Sequence, residues 1–245
     1  MILITGATDG IGLALARRYE ASGVRTILIG RRALGDAPPP ASAESYCRVD
    51  LARPDAADRV AAFLDARGVD RLDALVHNAA IGYYGPIAEQ SPESVRALVA
   101  VNLIAPMALT RALLPRVERA AGAIAFISSV VSVIPSPDYA VYAATKAALD
   151  DFARNLRVEL RDSPARVLLI HPGAVRTAMH AKIGMKVDPR RAAKWPSPDE
   201  AAERIARAIA GGRESLVFGA GNAMARAVAR LAPGLLDRAV RRRAR

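Results

Sequence analysis

Short apolar runs recur along the chain, most of them followed by a stretch whose apolar residues return every three or four positions. ILIT (2–5), TILIG (26–30), SYCRV (45–49), LDALV (72–76), AIAFIS (123–128), RVLLI (166–170) and SLVFG (215–219) are too short for helices and almost continuously hydrophobic, as strands covered on both faces are. Helical periodicity fills segments near 11–22, 55–66, 92–118, 140–161 and 199–210. The last opens with SPDEAA, a serine placed to cap and a proline suited to a first turn. This alternation predicts an α/β fold, a doubly wound parallel sheet of about seven strands with helices on both faces.

Three segments depart from the rhythm. GDAPPPASAES (35–45) stands where a crossover helix would join the second and third strands, and its prolines make that helix short or absent. Segment 178–196 is too long for an idle connection and is expected to be a substrate loop or lid. A single dinucleotide-binding and catalytic domain is expected over 1–221, followed by a basic amphipathic tail, 222–245. In that tail Met224, Val228, Leu231 and Leu235 form one apolar stripe with Arg226 and Arg230 off it, before Pro233-Gly234 breaks the helix. Three uses fit the tail: docking on its own domain or a sister subunit, peripheral contact with an anionic membrane, or a solubilising end.

Composition narrows the function classes. At 245 residues and 52% hydrophobic, the chain has ample material for a sizeable core. Cys47 is the only cysteine, so no intramolecular disulfide forms and no zinc site rests on thiolates, which fits a reducing cytoplasm. MILITGA enters an apolar strand without a basic leader, and no run approaches the roughly 20 apolar residues that span a bilayer. The net charge of +11 would suit nucleic acid, but +6 of it falls in 213–245, and aromatic stacking platforms are only 4% of the chain. No nucleic-acid partner is therefore expected. His77, His171 and His180 lack metal-ligand spacing, so no metal site is expected.

The chemistry concentrates in two motifs. TGATDGIG follows the first strand and opens the first helix, so Gly6, Gly10 and Gly12 allow a tight turn and close packing while the helix N-terminus faces a pyrophosphate. Thr8, Asp9 and Ile11 complete that loop. YAVYAATKAAL (139–149) places Tyr142 and Lys146 four apart on an Ala-rich helix, stacked on one face. A nearby ammonium is expected to favour the phenolate and make Tyr142 a general acid–base. Alone, such a pair is also what an amphipathic surface helix presents. Tyr139 has only Ala143 at that offset and is expected to line the pocket or pack.

In order and spacing these motifs resemble the short-chain dehydrogenase/reductase family in its single-domain Rossmann form, from residue 1 to about 219. The resemblance implies that Asp50 and Leu51, in VDL, meet the adenine. It aligns Asn78, Ala79 and Ala80 with the family's motif after the fourth strand, Ala80 standing where glycine is usual. It assigns Asn102 and Ser129 to the catalytic set, Ser129 lying thirteen residues before Tyr142. Pro172, Gly173, Val175 and Thr177, in PGAVRT, are implied to meet the nicotinamide. Lys146 is further implied to hold the nicotinamide ribose, and Asn102 to position a water that passes a proton from Lys146. A homodimer or homotetramer is the family habit.

At the end of the second strand, Gly30 stands where an NAD-preferring fold puts an acid, and Arg31 and Arg32 follow, suited to a 2′-phosphate. NADP(H) is therefore expected over NAD(H), although Asp9 would repel that phosphate. The expected activity is hydride transfer between a carbonyl and an alcohol; the alternative is a dinucleotide-binding regulator without turnover. Tyr83 and Tyr84 either border the substrate site or form an exposed loop pair. Lys182, Lys186, Arg190, Arg191 and Lys194 suit either an acidic substrate or a solvated charge run.

Overall fold

The computed structural model describes residues 1–232 and 234. Its strands are β1 (Ile2–Thr5), β2 (Thr26–Gly30), β3 (Tyr46–Arg48), β4 (Ala74–His77), β5 (Ala123–Ile127), β6 (Arg166–His171) and β7 (Ser215–Val217). They form one seven-stranded sheet in the order β3-β2-β1-β4-β5-β6-β7. Every pairing is parallel, as the covered apolar strands require. Alternate side chains feed opposite layers. Leu3 and Leu75 join a core completed by α2 (Ala56–Asp65), α4 (Ala105–Arg119) and α5 (Ala140–Glu159), while Ile4 and Val76 join another completed by α1 (Gly10–Ala21) and α8 (Pro198–Ala210). A fully buried Leu or Ile contributes about 1.5–3 kcal/mol, and four-residue strands with no exposed position make full use of it.

The helix expected over 92–118 is interrupted. It divides into α3 (Pro92–Val99), a π turn (Ala100–Ile104) and α4. Pro106 has no N–H to return to the carbonyl of Asn102, so the ladder widens there. By length and composition 92–119 is apolar enough to cross a membrane, yet Leu98, Leu109, Leu113 and Val117 lie in the core. The Pro-rich 35–45 segment has no crossover helix beyond a 3-10 turn at Leu34–Asp36. Arg67 holds it instead, donating to the carbonyls of Ala43 and Glu44 at 2.8 Å each. Ser197 and Glu200 close a reciprocal capping box on α8, with Pro198 at its start.

Segment 178–196 contains two single-turn helices, α6 (Met179–Lys182) and α7 (Pro189–Ala192). After β7 the chain forms α9 (Ala220–Leu231). Of its apolar stripe Met224 is 69% and Leu231 86% exposed and Val228 is half-buried, whereas Arg226 is 4% exposed. The helix is anchored by its polar face, for the reason given below. Leu235 and the arginines from 238 onward lie outside the described residues.

Candidate active site

A crevice opens where the sheet reverses its winding, between the carboxyl ends of β1 and β4, the place an open parallel sheet reserves for a ligand. The Thr5 hydroxyl accepts the N–H groups of Asn78 and Ala79 at 3.0 Å each. Asn78 donates from its amide to the carbonyls of Thr5 (2.9 Å) and Gly6 (3.2 Å). These bonds draw the glycine turn against β4 so tightly that a Cβ on Gly6 would lie 2.8 Å from Cα of Ala79, and one on Gly12 2.3 Å from the Gly6 oxygen. Gly6 and Gly10 also hold φ of +66° and +52°, which a side chain would strain.

A cleft of about 860 Å3 runs from this turn to α5. Of the residues singled out from the sequence as catalytic or cofactor-binding, all line it except Gly12 and Asn102. Gly12 acts behind it, as the packing position just described. At the adenosine end a Cβ on Gly30 would meet the Tyr46 hydroxyl at 2.6 Å and Thr8 Cγ2 at 2.7 Å, so an acidic side chain has no room there. Tyr46 is held in place by donating to the Arg32 carbonyl at 2.9 Å. Arg31 and Arg32 are exposed at the cleft edge.

Asp9 caps α1, accepting the Gly10 N–H at 2.7 Å, and is ion-paired with Lys182. Partial burial pulls the Asp9 carboxyl upward, but the Lys182 hydrogen bond, the Gly10 N–H and the charges of Lys182 and Arg32 outweigh it and leave it below the usual range. The anion expected to oppose a 2′-phosphate thus has a cationic partner. Left-handed glycines, a helix N-terminus, two guanidiniums and an apolar-floored cleft together fit a dinucleotide.

At the other end, Ser129 begins a 3-10 turn at Val130–Ser132 and its hydroxyl accepts the Val131 N–H at 3.3 Å. Ser129 and the Tyr142 phenol line the same cleft, close enough that the serine lowers the phenol's pKa. Lys146 is buried, donates from Nζ to the Ile127 carbonyl at 2.9 Å, and lies 5.8 Å from the Tyr142 ring centroid. Burial works against the expected phenolate. It raises the Tyr142 pKa, Tyr139 adds to the rise, and Ser129 offsets only part of it. Burial likewise lowers Lys146 to about 8, against a smaller opposing effect of Asp150. Desolvation is the largest cause at both groups, because both have left water.

Asn102 occupies the π turn, fully buried. Its Oδ1 accepts the Ile81 N–H at 2.9 Å, and its Nδ2 donates to the Ile81 carbonyl at 2.9 Å and to Thr145 Oγ1 at 3.2 Å. It therefore ties the segment following the Asn78 motif to α5 from behind the cleft. Tyr139 lines the cleft, its ring 5.7 Å from that of Tyr142, and Tyr84 packs on Tyr139 at 5.2 Å.

Several residues at this site were not singled out from the sequence. Asp150 lies four residues beyond Lys146, and the same helical spacing that pairs Tyr142 with Lys146 points to it. Ser128, Ser132 and Arg226 gather around it, and no local pattern signals that the last comes from a helix more than seventy residues away.

A family model described as "short chain dehydrogenase" matches residues 1–188. The chain is a short-chain dehydrogenase/reductase. It is 33% identical over its whole length to bovine dehydrogenase/reductase SDR family member 7B, spanning 81% of that protein, and 37% identical over 72% of its length to the rat protein of the same name, spanning 58% of it. Among solved structures it is similar to a short-chain dehydrogenase from Streptomyces avermitilis (TM-score 0.77, 30% identity, 98% of this chain and 93% of that one). It is also similar to one from Sphingobium yanoikuyae in complex with NADPH (TM-score 0.79, 28% identity, 96% and 94%). As a short-chain dehydrogenase/reductase it is an oxidoreductase acting on an alcohol/carbonyl pair, with a nicotinamide dinucleotide as cofactor.

Proposed function

We propose that this short-chain dehydrogenase/reductase is an NADP(H)-dependent carbonyl reductase in which Tyr142 is the proton donor. The observation that carries this is the continuity of one cleft from the glycine turn and the Arg31–Arg32 pair to the Ser129 and Tyr142 hydroxyls. Bound nicotinamide would supply the hydride chemistry. With its pKa raised, the phenol is protonated at neutral pH and suited to donate to a carbonyl oxygen as that oxygen gains charge. Ser129 lies beside it to hydrogen-bond the same oxygen. Lys146, held under the Tyr142 ring by the Ile127 carbonyl, is placed to stabilise the phenolate left behind and to reach a nicotinamide ribose. Asn102 positions these groups through Ile81 and α5.

Preference for the 2′-phosphate is supported by Gly30, where no acid fits, by the adjacent guanidiniums, and by the Lys182 partner of Asp9. The NADPH complex of the Sphingobium relative agrees with it. Beyond Tyr142 the cleft is bordered by thioether, aromatic and aliphatic groups of Ile81, Tyr139, Met179, Ile183 and Met185, with Lys186, Asp188 and Arg191 also on its lining. A carbonyl carrying an apolar arm suits that border better than an acidic substrate does. The test is NADPH oxidation over a panel of apolar and acidic carbonyl compounds, wild type beside Tyr142→Phe. Turnover of apolar members that Tyr142→Phe abolishes, with NADPH fluorescence quenching retained, is expected; quenching without consumption in the wild type would instead mark a regulator.

A further inference from the structure

Asp150 is fully buried one helical turn beyond Lys146, a carboxylate that the proposed chemistry does not use. Its oxygens take Ser128 Oγ, Ser132 Oγ at 2.7 Å, His171 Nε2 at 2.8 Å and Arg226 at 3.2 Å. Burial would raise this carboxyl, but the His171 hydrogen bond and charge, with the two serine hydroxyls, hold it at about 2.

Arg226 reaches this carboxylate from α9. One of its nitrogens also donates to Ser132 Oγ at 2.8 Å and to the Ser129 carbonyl at 3.3 Å, and the other lies 2.8 Å from His171 Nε2. Ser132 Oγ is itself 2.8 Å from the Ser129 carbonyl. Every segment gathered here carries or adjoins a group of the site. The 128–132 turn holds Ser129, α5 holds Tyr142 and Lys146, and His171 leads into Pro172-Gly173. On Gly173 a Cβ would fall 2.5 Å from Asn222 of α9, so the helix also fits against the far wall of the cleft.

A buried ion pair is weak as a stabiliser, because the cost of desolvating both charges offsets most of their attraction. Its geometry is a better guide to its use. The planar guanidinium fork fixes two directions at once, one toward α5 and one toward the Ser129 peptide. We propose that Arg226 is a positioning residue for catalysis, holding the Ser129 peptide in register with Tyr142 and Lys146 through Asp150 and Ser132. This rests on Ser129 and Tyr142 being the reacting pair. Helix α9 is then part of the catalytic domain, and cutting the chain at residue 221 would remove a contact of the active site along with the tail.

The test compares Arg226→Met, Arg226→Lys and Ser132→Ala in the full chain, with Ser129→Ala and Tyr142→Phe as references, using NADPH and a carbonyl turned over by the wild type. Arg226→Met is expected to lower kcat about tenfold or more, since displacements well under 1 Å already matter to aligned reactants. Its KM for NADPH should stay within about twofold, because Arg226 does not reach the adenosine half of the cleft. Arg226→Lys should recover only part of the loss, and a deuterium isotope effect from 4-deuterated NADPH should grow in both. Ser132→Ala, which keeps the ion pair, should lower kcat several-fold and is the deciding variant if Arg226→Met does not fold. Full kcat in folded Arg226→Met, or in Ser132→Ala when Arg226→Met is unfolded, overturns the proposal. If Ser129→Ala and Tyr142→Phe keep full turnover, the site itself is misassigned and the proposal falls with it; if they lose turnover while Arg226→Met does not, only the positioning role fails.

Discussion

Lys182, on the single-turn helix α6 after β6, is ion-paired with Asp9, the cap of α1, across the mouth of the cleft. The contact joins the glycine turn to the loop that borders the substrate end. Its partners remain 57% and 42% exposed, so it is a weak tie that water and salt compete for. Lys182→Ala should take from the Asp9 anion its ion-pair partner and weaken NADPH binding by about two- to fivefold. Asp9→Asn in the same background should restore it. Fluorescence titration at low and high salt checks both, the difference shrinking as salt rises.

Cofactor choice should respond to the guanidiniums and resist the usual acid swap. Replacing Arg31 and Arg32 together by Ala is expected to raise KM for NADPH about tenfold or more, with little change for NADH. Gly30→Asp should not create an NADH enzyme, because the new side chain would collide with the Tyr46 hydroxyl and Thr8. It should lower the melting temperature instead. Steady-state kinetics with both cofactors, beside a thermal melt, separate the two effects.

Acid stability should carry the mark of His77. Its ring stacks on Phe126, Nε2 lies 2.9 Å from Thr110 Oγ1, and Nδ1 has no hydrogen-bond partner among the described residues. Burial, with the Lys146 charge adding, lowers its pKa to about 3. The unfolded chain therefore binds a proton below its ordinary value near 6.5 that the native state refuses. Stability should fall as pH drops from about 6.5 toward 3, by at most about 1.4 kcal/mol per pH unit. Asp150, lowered to about 2, adds its own loss only below about 4. Urea midpoints at pH 7 and 4.5 should differ less in His77→Gln than in the wild type; an unchanged difference would show that the imidazole is not responsible.

Asn102→Ala removes a buried amide that satisfies both backbone groups of Ile81. The orphaned Ile81 N–H and carbonyl should cost about 2–4 kcal/mol by urea denaturation. Turnover should fall in the folded fraction too, because α5 loses its Thr145 contact with that segment.

Much of the molecule is legible from local pattern. Apolar strands such as 2–5 and 26–30 are read to the residue, because their apolar and β-branched residues run unbroken up to a glycine. The glycine turn and the Tyr142–Lys146 spacing place both ends of the cleft. What local pattern misses is set by tertiary burial. The helix at 92–118 hides its π turn because only the contact of Asn102 with Ile81 shows what the widened ladder is for. The burial that opposes a Tyr142 phenolate is hidden too, because a pair in sequence says nothing of how little water reaches it. The apolar stripe of α9 draws attention to Met224 and Leu231, which are exposed, while the buried anchor is Arg226, whose partner lies seventy-six positions earlier.

The sheet ends in two very short rails, β3 and β7, each of three residues. Strands that short present few unsatisfied amides to a foreign strand. Growth of the sheet across molecules is thereby blocked at both margins. Fibrillar cross-strand assembly should therefore begin only after those margins have unravelled.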